Sequence, residues 1–157
     1  MLTGVAKEKS WASSEAARHS MQANRSRDTE PELQVRHELF RHGLRYRVAY
    51  RALPHSLRTV DIAFPGQRIA VLIDGCFWHS CPDHLRTPST HADFWATKLE
   101  ATKRRDQETS QMLAANGWLV LRFWEHEDPI EVSRRIEQAV AEAKTPIDPS
   151  KTVRPNP

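Results

Sequence analysis

Residues 69–84 read Ile-Ala-Val-Leu-Ile-Asp-Gly-Cys-Phe-Trp-His-Ser-Cys-Pro-Asp-His, and the fold turns on how this stretch is read. Ile69 to Ile73 is an unbroken apolar run, too short for a helix and rich in β-branched side chains. Such a run predicts a central strand covered on both faces, which in turn requires flanking helices. The polar cluster that follows, Asp74 to His84, falls where α/β sheets carry their functional groups, just beyond the carboxyl end of a central strand.

Working outward, Val60–Phe64 is a second strand, joined to the first through Pro65-Gly66 as a turn, and Tyr46–Leu53 is a third. Before them Thr29-Glu30-Pro31-Glu32 announces a helix, with Thr29 as cap, Pro31 in the first turn and Glu32 placed to close a capping box. Leu33, Val35, Leu39, Phe40 and Leu44 are its expected buried stripe, and Gly43 ends it. Downstream, a long helix from Asp93 to Ala115 carries Trp95, Leu99, Met112 and Leu113, and Gly117 stops it before a strand over Trp118–Trp124. Trp118 and Trp124 are assigned to the core, and a last helix runs from Pro129 to Ala143. The order α-β-β-β-α-β-α predicts an α/β domain: one mixed central sheet with helices on both faces.

A chain of 157 residues with 39% hydrophobic content holds one core, not two. It is assigned to residues 29–143, between a basic, partly mobile N-terminal arm (1–28) and a Pro-rich tail (144–157). No apolar run approaches the roughly 20 residues that span a bilayer, and the first 20 residues lack the apolar centre of a signal peptide, so a cytoplasmic address is expected. The net charge is +3, and the excess of Lys and Arg lies in residues 1–58. That is an electrostatic footprint compatible with nucleic acid, shared by many proteins that bind none.

Cys76 and Cys81 are the chain's two cysteines, five residues apart and close to His79 and His84. Zinc takes four Cys or His ligands in a tetrahedron, and Cys76, Cys81 and His84 supply three. His126, at the end of the last strand, is the candidate for the fourth if a neighbouring strand brings it alongside. The alternative is two buried thiols beside surface histidines. Asp61 is a charge inside the β-forming run Thr59–Phe64, and the hairpin brings it beside the Ile73–Asp74 backbone. A carboxylate and the Ile73 carbonyl form an oxygen site of the kind Mg²⁺ prefers when phosphate and water complete its shell. An outward-facing structural aspartate is the other reading.

The string DGCFWHSCPDH (74–84), the DFWATK (93–98) and RRD (104–106) that follow, and GWLVLRFWE (117–125) together resemble the very short patch repair, or Vsr-type, DNA mismatch endonucleases. Met21, Arg27-Asp28-Thr29 and Glu32 add the N-terminal pattern of that family. The resemblance implies a single restriction-endonuclease-like domain with a structural zinc site and a catalytic Mg²⁺. It implies an enzyme that nicks one strand of double-stranded DNA on the 5′ side of the T in a T:G mismatch, the product of 5-methylcytosine deamination. Position by position, Asp61 matches the metal-binding aspartate and His79 the histidine that handles the proton of water, with Asp106 and Glu32 as supporting carboxylates. His79 as a fourth zinc ligand is the rival assignment.

Phe77, Trp78 and Trp95 match aromatics that intercalate beside the mismatch, Phe77 ranking behind the other two because a core role is commoner. Met21 matches a residue of the N-terminal arm that inserts from the minor groove, and Lys98 closes the DFWATK motif on the DNA-binding side. The family pattern carries a histidine where this chain has Asp74, leaving that second catalytic position either lost or filled by a carboxylate near the metal. His126 stands where a cysteine is common, and the zinc region is two residues shorter than in some relatives. The resemblance further implies a monomer acting at the nucleoid, linked functionally to a cytosine-5 DNA methyltransferase and to mismatch-repair proteins. The rival functions are a zinc-stabilised module that binds distorted duplex without cutting it, and a restriction-like nuclease of other specificity.

Overall fold

The computed structural model describes residues 27–83 and 92–144. Met21, His84, most of the N-terminal arm and the tail lie outside the described residues. The elements are α1 (Glu30–Arg41), β1 (Arg47–Tyr50), β2 (Val60–Phe64), β3 (Ile69–Asp74), α2 (Ala92–Ala115), β4 (Leu119–Trp124) and α3 (Pro129–Lys144). The strands form one sheet in the order β1-β2-β3-β4. The first two pairings are antiparallel, while β3 and β4 run parallel in the register Ile69↔Leu119 to Asp74↔Trp124. This is the expected mixed α/β sheet, and the parallel pair is possible because α2 supplies the crossover. Among the described residues no helix is long and apolar enough to cross a membrane.

Period-two alternation divides the sheet into unlike faces. On one, Ile62, Phe64, Ile69, Val71 and Phe123 pack against Val35 and Leu39 of α1 and Val132, Ile136 and Val140 of α3. On the other, the small Ala63 and Ala70 join Leu53, Val60 and Leu113 of α2, with Trp118 partly buried against them. Leu113 is completely buried and anchors the C-terminal half of α2. Leu113→Ala is expected to cost about 2–5 kcal/mol in urea unfolding, the usual penalty for a cavity left by a buried leucine. A loss below about 1 kcal/mol would show that α2 is held chiefly by other contacts.

Both glycine stops act through the same geometry. Gly43 and Gly117 sit at φ +75° and +77°, and each ends its helix with a pair of closing bonds. Gly43 N–H reaches Phe40 O and Leu44 N–H reaches Leu39 O, while Gly117 and Trp118 bond to Ala114 and Leu113 in the same way. This paired pattern needs a left-handed residue that glycine adopts without steric cost.

Several local expectations are corrected. Leu33 and Phe40 are 41% and 65% exposed, so the buried stripe of α1 narrows to Val35 and Leu39 with Glu32. Among the described residues, this stripe packs against α3 and one sheet face. Met112 is likewise exposed on α2. The first strand is shorter than expected: it ends at Tyr50, and the chain bends and turns at 53–55. Trp124 is only half-buried and stacks on His126 instead of entering the core. Thr29 caps α1 differently as well: its hydroxyl donates to Glu32 Oε1 (3.0 Å), and Glu32 Oε2 accepts the Asp28 N–H (2.9 Å).

Candidate functional site

The same alternation that puts Ala63 and Ala70 toward α2 puts Asp61, Asp74 and Arg122 on that face, at the end of the sheet where β3 runs out. The regular β2–β3 register covers Ile62↔Val71 to Phe64↔Ile69. One residue beyond it, Asp61 Oδ2 accepts the Ile73 N–H at 2.7 Å. A side-chain carboxylate thus stands in for the next main-chain acceptor. Asp61 Oδ1 has no hydrogen bond from the described residues.

Burial pushes the Asp61 carboxyl up to about 7, and the nearby Glu32 and Asp74 carboxylates push the same way, against the Ile73 N–H and His79, which lower it. A half-buried carboxylate with a free oxygen, beside two further acids, suits a divalent cation that keeps most of its shell for water and phosphate.

His79 comes from the loop after β3, whose turns are closed by His79 N–H to Gly75 O and Cys81 N–H to Cys76 O. Its ring Nδ1 meets Asp106 Oδ2 of α2 in a short hydrogen bond, and Asp74 Oδ1 is 3.6 Å away. A carboxylate on Nδ1 holds the proton there and leaves Nε2 as the basic nitrogen. The expected pairing of His79 with Asp106 is therefore present in the geometry. Glu32 is placed otherwise: it neighbours Asp61 electrostatically, and its oxygens serve Asp28 and Thr29 at the start of α1.

Asp74 is engaged by an arginine. Arg122 of β4 grips it with a fork, Nε to Oδ2 at 2.7 Å and Nη2 to Oδ1 at 2.6 Å. The guanidinium is held above its ordinary value: burial opposes the charge, but the Asp74 hydrogen bond and the charges of Asp74, Asp106 and Asp61 outweigh it. Sequence reasoning passed over Arg122, although an arginine inside the apolar strand Leu119–Trp124 is the same signal that singled out Asp61.

A second cluster lies on the other side of the loop. Cys76 Sγ is 3.1 Å and Cys81 Sγ 3.8 Å from His126 Nδ1, and the three ligand atoms lie within 4.8 Å of one another. Both cysteines are buried and unbridged. Burial, with Cys81 and Glu125 alongside, pushes the Cys76 thiol up to about 12, so ionising it there calls for a cation. The parallel β3–β4 pairing is what delivers His126. Glu125, also passed over by the sequence reading, accepts the Cys76 N–H at 2.6 Å and ties the loop to β4. His84, the expected fourth ligand, lies outside the described residues, and His79 is turned to Asp106 instead.

The aromatic residues form one body. Phe77 packs edge-on against Trp78 and Trp95 at ring separations of 5.1 and 5.2 Å, and Phe94 against Trp95 at 5.6 Å. Lys98 Nζ stands 5.1 Å from the Trp78 ring centre and 5.5 Å from that of Trp95. Trp95 is only 5% exposed, so it underlies the cluster, whereas the half-buried Phe77 and Trp78 and the exposed Phe94 form its accessible part.

Comparison with known proteins places the chain in a family. The family profile described as DNA mismatch endonuclease Vsr matches residues 12–83. The chain is 46% identical over 111 residues to the type II nicking enzyme V.NaeI of Lentzea aerocolonigenes, covering 69% of this chain and 67% of that protein. It is 40% identical over 116 residues to V.XorIIP of Xanthomonas oryzae pv. oryzae, covering 73% and 83%. Against V.HpaIIP of Haemophilus parainfluenzae it is 34% identical over 125 residues, covering 76% and 86%. With relatives this similar over most of both chains, the protein belongs to the Vsr family of DNA mismatch endonucleases.

Proposed function

We propose that the protein nicks one strand of double-stranded DNA 5′ to the T of a T:G mismatch by Mg²⁺-dependent phosphodiester hydrolysis. The observation that carries this reading is the His79–Asp106 pair set on the same sheet face as the half-buried Asp61. Asp61 and the Ile73 carbonyl would hold Mg²⁺, which would supply positive charge against the phosphate oxygens. The Ile73 N–H fixes one Asp61 oxygen and so aims the other outward. Asp106 keeps the His79 proton on Nδ1, and Nε2 takes the proton of the attacking water. Asp74, spent on Arg122, takes no direct part.

Selectivity in this reading comes from stacking. A mismatched step is cheaper to unstack than a paired one, so Trp78 and Phe77 enter beside the T:G pair, backed by the buried Trp95. Lys98, over the rings, adds charge toward the phosphates. Met21 belongs to the arm that enters from the minor groove. Zinc is assigned to Cys76, Cys81 and His126 with His84 as fourth ligand, a closed set of the structural kind. The protein acts as a cytoplasmic monomer, alongside a cytosine-5 methyltransferase and mismatch-repair proteins.

The test is strand-specific nicking, with Mg²⁺, of end-labelled duplexes that carry T:G or T:A at one position within varied flanks. A nick at T:G alone, 5′ to the T, is the expected result. Cutting of T:A duplex at equal rate would assign a restriction-like specificity instead, and tight T:G binding without a nick in any flank would favour a binding module.

A further inference from the structure

Arg122 lies at the junction of three elements. From β4 it grips Asp74 of β3 with its fork, while Nη1 donates to the Asp106 carbonyl (3.3 Å) and to Ser110 Oγ (3.0 Å) on α2. Its Nη2 also faces Asp106 Oδ2 at 3.7 Å. A guanidinium has five N–H donors in a fixed plane, and this one makes four hydrogen bonds to protein acceptors. Its hydrogen bonds therefore tie together β3, β4 and α2.

What it does control is a competition. Two carboxylates reach toward His79 Nδ1: Asp106, which bonds to it, and Asp74, whose Oδ1 is 3.6 Å away. Nδ1 carries one proton, and the acceptor that takes it sets the plane of the ring and the direction of Nε2.

We propose that Arg122 is a positioning residue for the nicking reaction: by taking both oxygens of Asp74 it withdraws that carboxylate from His79 and leaves Asp106 as the acceptor for Nδ1. The bonds to the Asp106 carbonyl and Ser110 serve the same end, because they fix the turn of α2 that presents Asp106. Asp74 and Arg122 therefore act as a unit. Without the arginine, Asp74 is left buried and without its partner, and the Nδ1–H of the ring beside it is the nearest available donor. The ring then swings toward β3 and carries Nε2 off the line to the scissile phosphate.

This inference rests on the nicking reading, and it predicts an epistatic pattern. In single-turnover assays on a duplex with one T:G mismatch, Arg122→Met is expected to lower the rate about 100-fold, the scale of a small misplacement of a proton-transfer group. Duplex affinity stays unchanged. Adding Asp74→Asn removes the competing charge and should recover at least about tenfold of that loss, a coupling reserved for residues in one network. A purely structural arginine gives the opposite: a double variant no more active than Arg122→Met. That result, or wild-type activity in Arg122→Met, overturns the proposal.

If Arg122→Met does not fold, Arg122→Lys carries the same test with Asp74→Asn, since lysine keeps the charge but cannot span both oxygens. The His79 ring gives a readout separate from nicking. Its Nδ1–H resonance in nitrogen-edited NMR should lie at low field in the wild type, shift in the single variant and return in the double. These shifts report on Arg122 even where the wild type nicks no duplex tried, so failure of the nicking reading and failure of this proposal are told apart.

Discussion

Asp61→Asn is expected to eliminate nicking, by about three powers of ten or more, and yet to yield a protein more stable than the wild type in chelator at pH 8. The catalytic loss follows if Asp61 supplies the anionic oxygen of the cation site, since cation stabilisation of the phosphate is worth several kcal/mol in the transition state. The stability gain follows from burial. The Asp61 carboxyl is raised from 3.8 to about 7, so the folded protein holds a proton that the unfolded chain releases. As pH rises from about 4 through 7, ionising Asp61 therefore costs the metal-free fold stability, by at most about 4 kcal/mol for a shift of this size. Below about pH 4 both states are protonated and the difference vanishes.

Asparagine keeps the Oδ1 acceptor for the Ile73 N–H and carries no charge, so it escapes that cost. Mg²⁺ should stabilise the wild type at pH 8 and leave the variant unmoved, and at subsaturating Mg²⁺ the wild-type rate should climb about tenfold per pH unit below 7, as one proton is displaced per cation bound. Thermal denaturation across pH 4–8 with and without Mg²⁺ measures all three. A variant less stable than wild type in chelator at pH 8, or one that still nicks, would remove Asp61 from the cation site.

Much of this arrangement is legible in the residues before any coordinates. Ile69 to Ile73 is central because nothing in it tolerates solvent on either face, and the structure places it between two paired strands. Gly43 and Gly117 mark helix ends because only a left-handed residue closes those turns cheaply. Asp61 and His79 stand out for a related reason: a charge in a strand and a histidine beside two cysteines each need a partner. What stayed hidden is the identity of partners distant in sequence. Asp74 stands out as an acid near the site, but its partner Arg122 lies 48 residues on. Glu32 resembles a second support for His79 until its oxygens are found at the start of α1. Leu33 and Phe40 match a helical stripe, but periodicity says only that a face exists, not how wide a neighbour covers it.

Removing zinc is expected to abolish nicking while sparing most of the fold, because the metal cluster and the main core are separate bodies. The core of Leu39, Ile62, Phe64, Ile69, Val71 and Ile136 contains none of the loop between Gly75 and Cys81. That loop carries both Trp78 and His79, and its internal closure is two backbone hydrogen bonds plus the Glu125 clamp on the Cys76 N–H. Cys76, Cys81 and His126 join it to the end of β4. A zinc ion across them would turn a weakly closed loop into a fixed platform, and only a fixed platform keeps His79 on Asp106.

Metal analysis of the wild type should find about one zinc per chain, and Cys81→Ser should find none. With a zinc-selective chelator and Mg²⁺ in excess, or in Cys81→Ser, nicking should fall by about 100-fold or more, the consequence of a displaced catalytic group. Far-ultraviolet circular dichroism should keep its helical signal in both cases, since α1, α2 and α3 are anchored on the sheet. A fully active protein without zinc would assign the two thiols and His126 a packing role alone. Loss of the helical signal together with activity would instead make the cluster part of the folding core, and would place the metal upstream of the whole domain, not only of the loop that bears His79.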